Sequence, residues 1–182
     1  MEDIRTRNLQ QLQYFDCYEV SPTTLGDGNN SIDLGIDYSL SLHNIDEKLL
    51  ASLSKKATNI SLTITGVLVL PQSAVGVITK FISPKLRRIV VNDCDYLSWN
   101  DIKSILAAAD SVEVLDLRRN AWVNDYVVEQ LSIKFAKSLK GLHLERSDLT
   151  DSSLVHVGRR CLQLRQLTFD CCYKVFIFSY TV

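Results

Sequence analysis

The sequence has no apolar run long enough to cross a membrane, which takes about 20 consecutive residues. It also has no excess of either charge. Its 20 basic and 21 acidic residues give a formal net charge of −1, which argues against a sequence-independent grip on nucleic acid. Hydrophobic residues make up 46% and charged residues 23% of the 182 positions. We therefore expect one folded domain or a short repeat array, with no membrane contact and no nucleic-acid partner.

Paired cysteine motifs and targeting signals are missing as well. The spacing of the cysteines is irregular, with no Cys-x-x-Cys pair, and the five are Cys17, Cys94, Cys161, Cys171 and Cys172. The N-terminal segment MEDIRTRNLQQLQYFDC lacks the apolar run of a secretory signal peptide. Two acids among its first three residues disfavour a mitochondrial transit peptide. We expect reduced thiols and a cytoplasmic or nuclear location.

What the sequence does contain is the repeated phrase Leu-x-x-Leu-x-Leu-x-x-[Cys/Asn/Ser]. Four copies begin at Leu86 (LRRIVVNDC), Val112 (VEVLDLRRN), Leu139 (LKGLHLERS) and Leu164 (LRQLTFDCC). Their starts are 26, 27 and 25 residues apart, a period that indicates stacked repeats, none of which folds alone. Such arrays offer a long surface and mostly act by binding.

Two weaker copies precede these four. One begins near Ser31, before a predicted helix over residues 44–57, and the next begins at Ala57. The core pairs that we assign to them are Leu34 with Ile36, and Ile60 with Leu62. We divide the chain into an N-terminal cap or tail, residues 1–30, and a repeat domain, residues 31–182. The repeat domain contains about five to six repeats, of which the last is incomplete.

Two further positions recur with the repeats. The ninth position holds a small polar side chain in each copy: Thr65, Cys94, Asn120, Ser147 and Cys172. The chain turns sharply there, so we predict that these side chains bond to backbone groups that the strands leave unpaired. Each helix is predicted to begin with an apolar residue, a polar cap and an acid. These starts are Trp99-Asn100-Asp101, Val123-Asn124-Asp125 and Leu149-Thr150-Asp151.

The copies resemble leucine-rich repeats. The segment LKGLHLERSDLTDSSLVHVGRRCLQL, residues 139–164, is most similar to the cysteine-containing subclass of F-box/leucine-rich-repeat and antagonist-of-mitotic-exit proteins. Across residues 57–172 the resemblance implies an α/β fold: a right-handed solenoid, or horseshoe arc, with parallel strands on the concave side and helices on the convex side. It also implies a protein–protein interaction module that serves as a substrate-recognition or adaptor subunit in ubiquitin ligation. Residues 1–30 lack the leucine- and proline-rich helix of an F-box. The alternative is a structural assembly factor or scaffold of a larger complex, as in some short mitochondrial leucine-rich-repeat proteins.

In such strands the leucines face the core, and the residues between them face the concave side, here named the sheet face. The candidate partner-binding residues on it are Arg88, Val90, Asn92, Asp116, Arg118, His143, Glu145, Gln166, Thr168 and Asp170. In the copy at Ala57, Ser61 is aligned with Val90 and Thr63 with Asn92. Two interpretations stay open: a mixed-charge binding face, or a solvated sheet whose charges pair across neighbouring strands. The predicted pairs are Arg118 with Glu145 and Asp116 with His143.

No arrangement of reactive side chains indicates catalysis. His43, His143 and His156 fall in three different contexts, without Ser-His-Asp or Cys-His spacing. Cys171 and Cys172 are neighbours on a strand and point to opposite faces, so they are poorly placed to chelate together. We expect no enzyme activity, no cofactor and no metal site. The basic residues, including Lys134, lie near predicted helix ends, where the helix dipole favours cations.

The C-terminal segment VFIFSYTV, residues 175–182, combines high β-propensity with no charge and no proline. On an unpaired strand edge such a segment promotes association. Two interpretations stay open: the segment packs over the end of the repeat stack, or the chain is a truncated product of a longer protein. We predict self-association through the C-terminal end, or a complex that covers this end.

Overall fold

The structure is a computed structural model that describes residues 31–37, 51, 54–55, 57–172 and 174–175. The predicted cap over residues 1–30, most of the predicted helix over 44–57 and all but the first residue of the C-terminal segment 175–182 lie outside the described residues. Cys17 and His43 lie outside them too.

Strands and helices alternate along the described chain. The strands are β1 (Ser31–Asp37), β2 (Asn59–Thr65), β3 (Leu86–Asn92), β4 (Val114–Asp116), β5 (Gly141–Glu145) and β6 (Gln166–Asp170). The helices are α1 (Gln72–Phe81), α2 (Trp99–Ala107), α3 (Asp125–Lys134) and α4 (Asp151–Arg160), and a 3₁₀ turn spans Ser83–Lys85. The six strands form one sheet in chain order, and every pairing is parallel. The prediction of an α/β fold with parallel strands is confirmed.

The core lies between one side of the sheet and the four helices. Residues at the first, fourth and sixth positions of three copies are fully buried there: Leu86, Ile89, Val91, Val112, Leu115, Leu117, Leu139, Leu142 and Leu144. They join Ile102, Ile105, Leu131 and Val157 of the helices in one hydrophobic cluster. The equivalent residues of the last copy are less covered, and Leu167 is 44% exposed, because β6 is the outermost strand of the described sheet.

Each strand from β3 to β6 is followed, within three residues, by a residue with left-handed backbone geometry. Asp93, Arg119, Arg146 and Cys171 have φ between 51° and 57°, and Gly66 after β2 has φ 66°. Non-glycine residues adopt this region at a cost of roughly 1 kcal/mol or more. The cost is offset by the ladder, since the Arg119 amide donates to the Glu145 carbonyl at 2.8 Å and the Arg146 amide to the Asp170 carbonyl at 3.0 Å. The eighth position holds an acid, two arginines and a cysteine, residue types with no common preference for left-handed geometry, so the sequence did not indicate it.

The ninth position performs the predicted role in the four clear copies. Asn120 is fully buried. Its side-chain amide donates to the carbonyls of Val91 at 2.6 Å and Arg118 at 3.1 Å, and its side-chain oxygen accepts from the Cys94 amide at 3.0 Å. Cys94 repeats the donor pattern one repeat earlier, with Sγ 3.8 Å from the Ile64 carbonyl and 3.2 Å from the Asn92 carbonyl. Ser147 and Cys172 likewise donate to a carbonyl two residues earlier.

The predicted alignment of the copy at Ala57 is wrong by two residues. Leu62 pairs with Ile89 and Ile64 pairs with Val91, so the core pair of this copy is Leu62 and Ile64. Strand β1 has the same register, because Leu34 pairs with Leu62 and Ile36 pairs with Ile64. The ninth position is therefore the buried Val67 and not Thr65. The expectation of a polar residue there is wrong. In a strand whose every second residue is apolar, a two-residue shift leaves the hydrophobic pattern unchanged.

One predicted helix start is also displaced by two residues. The cap of α2 is Ser98, whose amide and hydroxyl both donate to an oxygen of Asp101, at 2.7 and 2.6 Å. The buried residue before it is Leu97, which takes the place predicted for Trp99. The other two starts are confirmed, since the Asn124 side chain accepts from the Val127 amide at 3.1 Å and Thr150 from the Ser152 amide at 3.2 Å.

Candidate functional site

The strand register aligns the candidate residues in columns across the sheet face. Arg88, Val114, Gly141 and Gln166 form the first column, and Val90, Asp116, His143 and Thr168 form the second. Glu145 pairs with Asp170 in the third column, and the Arg118 amide donates to the Asn92 side-chain oxygen at 3.1 Å. Thr63 pairs with Val90 and Thr65 with Asn92. The alignment of Ser61 with Val90 and of Thr63 with Asn92 is therefore wrong, for the reason given above.

The candidate residues differ in how far they reach solvent. Arg88, Gln166 and Asp170 are exposed, and five are partly buried: Asn92, Arg118, His143, Glu145 and Thr168. Two are buried, Val90 at 8% and Asp116 at 3% exposure. Val90 and Asp116 thus form the floor of the sheet face, and the other eight form its accessible surface.

The centre of the sheet face is an ion pair between Asp116, the last residue of β4, and Arg118, two residues further along the chain. Arg118 Nε lies 2.8 Å from Asp116 Oδ1, and Nη2 lies 2.7 Å from Oδ2, a bidentate geometry. The hydrogen bond and the charge of Asp116 raise the pKa of the Arg118 guanidinium above its ordinary value. The predicted partners, Glu145 for Arg118 and His143 for Asp116, are wrong. Residues two apart in sequence lie on the same face of an extended segment. Asp116 and Arg118 therefore bind each other along the chain, and neither binds the predicted residue on the neighbouring strand β5.

Glu145 is bound by arginines of the turns. Its Oε1 lies 3.1 Å from Arg119 Nε and 3.8 Å from Arg146 Nε. The hydrogen bond to Glu145 raises the pKa of Arg119. Both arginines occupy left-handed turn positions, which the repeat pattern does not mark. Arg119 and Arg146 were therefore not among the residues predicted for the site. Their shared place at the eighth position of two successive copies was the one signal in the sequence.

His143 is bonded to the neighbouring strand and not to an acid. Its Nδ1 lies 3.0 Å from Thr168 Oγ1, its partner in the β5–β6 register. One of these two atoms donates and the other accepts, depending on the imidazole tautomer. The pair makes a polar area across β5 and β6, beside the Asp116–Arg118 pair.

The cavity at this site is small. It has a volume of about 190 Å³ and is lined by Asn92, Asp93, Arg118, Arg119 and Glu145. Sites for drug-sized ligands or cofactors are typically about 300–1,000 Å³ and mainly apolar. The cavity is therefore below the usual size of a cofactor site and is lined by polar and charged side chains.

The thiols and the basic residues have structural contacts. Cys94, Cys161 and Cys172 are buried and Cys171 is exposed; burial raises the pKa of the three buried thiols. Among the described residues no group of three or more His, Cys, Asp or Glu side chains could hold a metal ion. Lys134 Nζ donates to the Ala107 carbonyl at the end of α2, at 2.8 Å, as expected for a cation at a helix C-terminus. No helix in the described ranges has the length and apolar character that a membrane crossing requires.

Comparisons with known proteins identify no family. No model of a known protein family matches the sequence, and no curated protein matches it. Among solved structures, one similar chain belongs to the crystal structure of the Rad7 and Elc1 complex in yeast, with 15% sequence identity and a TM-score of 0.48. The match covers 71% of this chain and 41% of that chain, so it spans less than half of the neighbour's length.

Proposed function

We propose that this chain is a leucine-rich-repeat solenoid, curved as a right-handed arc, that binds a protein partner on its sheet face. The observation that carries the proposal is the register of the parallel strands. It aligns polar side chains of equal repeat position in columns on the side of the sheet that the helices leave uncovered. Arrays of this kind use such a surface to bind.

The Asp116–Arg118 pair supports binding at the centre of this face. Both oxygens of the nearly buried carboxylate hold the guanidinium, so Arg118 loses little side-chain freedom when a partner covers it. Arginine is among the residues enriched at the energetic centres of interfaces. The exposed Arg88 on β3 and Gln166 and Asp170 on β6 lie on either side of it in the sheet, which gives the partner polar groups at the edge of the contact.

We propose binding rather than catalysis. The polar side chains of the face bond mainly to each other, and the cavity beside them is small and polar. The resemblance to F-box/leucine-rich-repeat proteins favours an adaptor or substrate-recognition role in ubiquitin ligation. An adaptor of this kind co-purifies with the scaffold subunits of a ligase, and epitope-tagged chain purified from cells tests this. A partner set without any ligase subunit contradicts the adaptor role but not the binding face.

The binding face is tested by a charge exchange on exposed residues. Arg88→Glu with Asp170→Arg reverses two sheet-face charges and keeps the net charge unchanged. Both positions are exposed, so the free energy of unfolding should change by less than about 1 kcal/mol. Electrostatic complementarity fixes the register of interfaces, so the yield of the partner recovered with wild type should fall.

The matched control reverses two exposed charges outside the sheet face, with Lys103→Glu and Asp110→Lys. This variant should recover the same partner as wild type. If the sheet-face variant recovers it undiminished, or if the control loses it equally, the partner does not bind at the sheet face.

A further inference from the structure

A second surface lies at the edge of the sheet where the strands turn into the helices. The third residue after each left-handed residue is large and apolar in three successive repeats: Val69 after Gly66, Tyr96 after Asp93 and Trp122 after Arg119. Val69 is 71% and Tyr96 80% exposed, and Trp122 is partly buried. We name these three side chains the turn ridge. Leu68 and Tyr126, both exposed, flank it.

The turns that carry the ridge are stacked directly on one another. The Gly66 amide donates to the Asn92 carbonyl at 3.0 Å, and the Asp93 amide to the Arg118 carbonyl at 3.3 Å. Further along the second turn, Asp95 Oδ1 accepts from the Ala121 amide at 3.0 Å. Trp122 Nε1 donates to the Cys94 carbonyl at 3.3 Å. Equivalent positions of adjacent turns therefore follow the strand spacing, about 4.8 Å.

Folding does not require Val69 and Tyr96 to be apolar. The next residue of each turn closes the core instead: Leu70, Leu97 and Val123 are all buried. In the following repeat the turn is one residue shorter, and Leu149, the third residue after Arg146, is itself buried. The ridge thus ends at this repeat, because the third residue of its turn closes the core and leaves no exposed apolar residue at that position. Trp122 packs against the core, and its ring stacks on Trp99 at 6.5 Å between ring centroids. Exposed apolar side chains such as Val69 and Tyr96, clustered beside it, mark interaction surfaces.

The surroundings of the ridge are acidic. Within residues 66–71, 93–101 and 119–126, four carboxylates stand against the single guanidinium of Arg119, a net charge of −3. The four are Asp93, Asp95, Asp101 and Asp125. The whole chain carries only −1, so the negative charge is concentrated here. This charge selects a basic partner and repels nucleic acid and anionic lipid.

The spacing of the ridge selects the conformation of that partner. The backbone positions of three equivalent turn residues, about 4.8 Å apart, span roughly 10 Å. On an α-helix, residues i, i+3 or i+4, and i+7 span the same length, at 1.5 Å per residue. An extended strand presents successive side chains of one face about 6.8 Å apart and does not match. We propose that the turn ridge binds a basic amphipathic helix of a partner protein through three apolar residues at i, i+3 or i+4, and i+7.

The proposal is tested with a displayed library of random 16-residue peptides. Peptides are selected on the full chain and depleted on the Val69→Ser/Tyr96→Ser variant. The matched control is Ile133→Ser/Leu162→Ser, which also replaces two exposed apolar residues, outside the ridge. All four residues are exposed, so both variants should keep the melting temperature of wild type within about 2 °C.

We expect recovered peptides rich in Lys and Arg, with apolar residues at helical spacing. A synthetic representative should bind the ridge variant at least about tenfold more weakly than wild type, and the control variant equally well. It should also bind Asp95→Asn more weakly, because Asn keeps an acceptor for the Ala121 amide and removes the charge. The proposal is overturned by acidic or uncharged selected peptides, by equal binding to the ridge variant, by equal loss on the control variant, or by no selective recovery.

Discussion

Replacing Asn120 by leucine tests how the turns hold the repeats together. Leucine branches at the same carbon as asparagine but is larger, because two methyl groups replace an oxygen and an amide, so the substitution also forces bulk into a fully buried position. It removes three hydrogen bonds, from the side chain to the Val91 and Arg118 carbonyls and from the Cys94 amide. The Val91 carbonyl and the Cys94 amide lose a partner around a side chain that is fully buried, where water cannot replace it. The Arg118 carbonyl still accepts from the Asp93 amide at 3.3 Å.

The expected magnitude follows from the two groups that lose their partner. A buried group left without a partner costs about 1–3 kcal/mol, and the least costly values apply where neighbours relax. Taking about 1–1.5 kcal/mol for each gives a loss of about 2–3 kcal/mol from Asn120→Leu. That is a large share of the roughly 5–15 kcal/mol that stabilises a typical domain.

Asn120→Cys provides the graded control. The Cys94 thiol already donates to the equivalent carbonyls one repeat earlier, so a thiol at position 120 keeps that function and loses only the acceptor for the Cys94 amide. We expect a loss of about 1–2 kcal/mol. Urea denaturation measures both variants, and unchanged m-values show that the comparison is valid. A loss of less than about 1 kcal/mol for Asn120→Leu would refute the role of the ninth position.

Three other predictions follow from the described contacts. Thiol labelling of the native chain, read by peptide mass spectrometry, should be fast at the exposed Cys171 and slow at the buried Cys94; fast labelling of Cys94 contradicts its burial. Burial acts to raise the pKa of Asp125, but hydrogen bonds from Ser153 and Thr150 outweigh it and lower the pKa below 3.8. The stability that Asp125 contributes is therefore present above about pH 4 and is lost as pH falls through the folded pKa. The difference in free energy of unfolding between wild type and Asp125→Asn should shrink in acid. A difference that does not depend on pH opposes this assignment. Arg118→Ala leaves the buried carboxylate of Asp116 unpaired and should cost about 2 kcal/mol, and Asp116→Ala added to it should recover part of that loss; additive losses contradict the coupling.

The repeat architecture could be predicted because its cause is periodic. Leucines at fixed positions bury one side of every strand, and the parallel order and the three clear cores at Ile89, Leu115 and Leu142 match the phrase. The irregular copy failed for the same reason, because Ile60, Leu62 and Ile64 alternate equally well in either register. A hydrophobic pattern of period two contains no signal that separates shifts of two residues.

The details of the site were harder to predict because they depend on turn geometry. Arg119 reaches Glu145 from a left-handed turn position that no residue type marks. Asp116 bonds along its own segment to Arg118, a choice that depends on side-chain rotamers and not on strand register. The turn ridge was likewise hidden in sequence, since its members Val69, Tyr96 and Trp122 align only once the turns are known.

The central claim, that the sheet face binds the partner, is tested most directly by hydroxyl-radical footprinting of the chain alone and in complex with its purified partner. His143 is oxidisable and half-buried on the sheet face, and the exposed Ile133 on α3 serves as the reference outside it. If the partner binds the sheet face, its binding slows oxidation of His143 severalfold and leaves oxidation of Ile133 unchanged. Unchanged oxidation of His143 in a saturated complex, with protection of Ile133 instead, would contradict the claim.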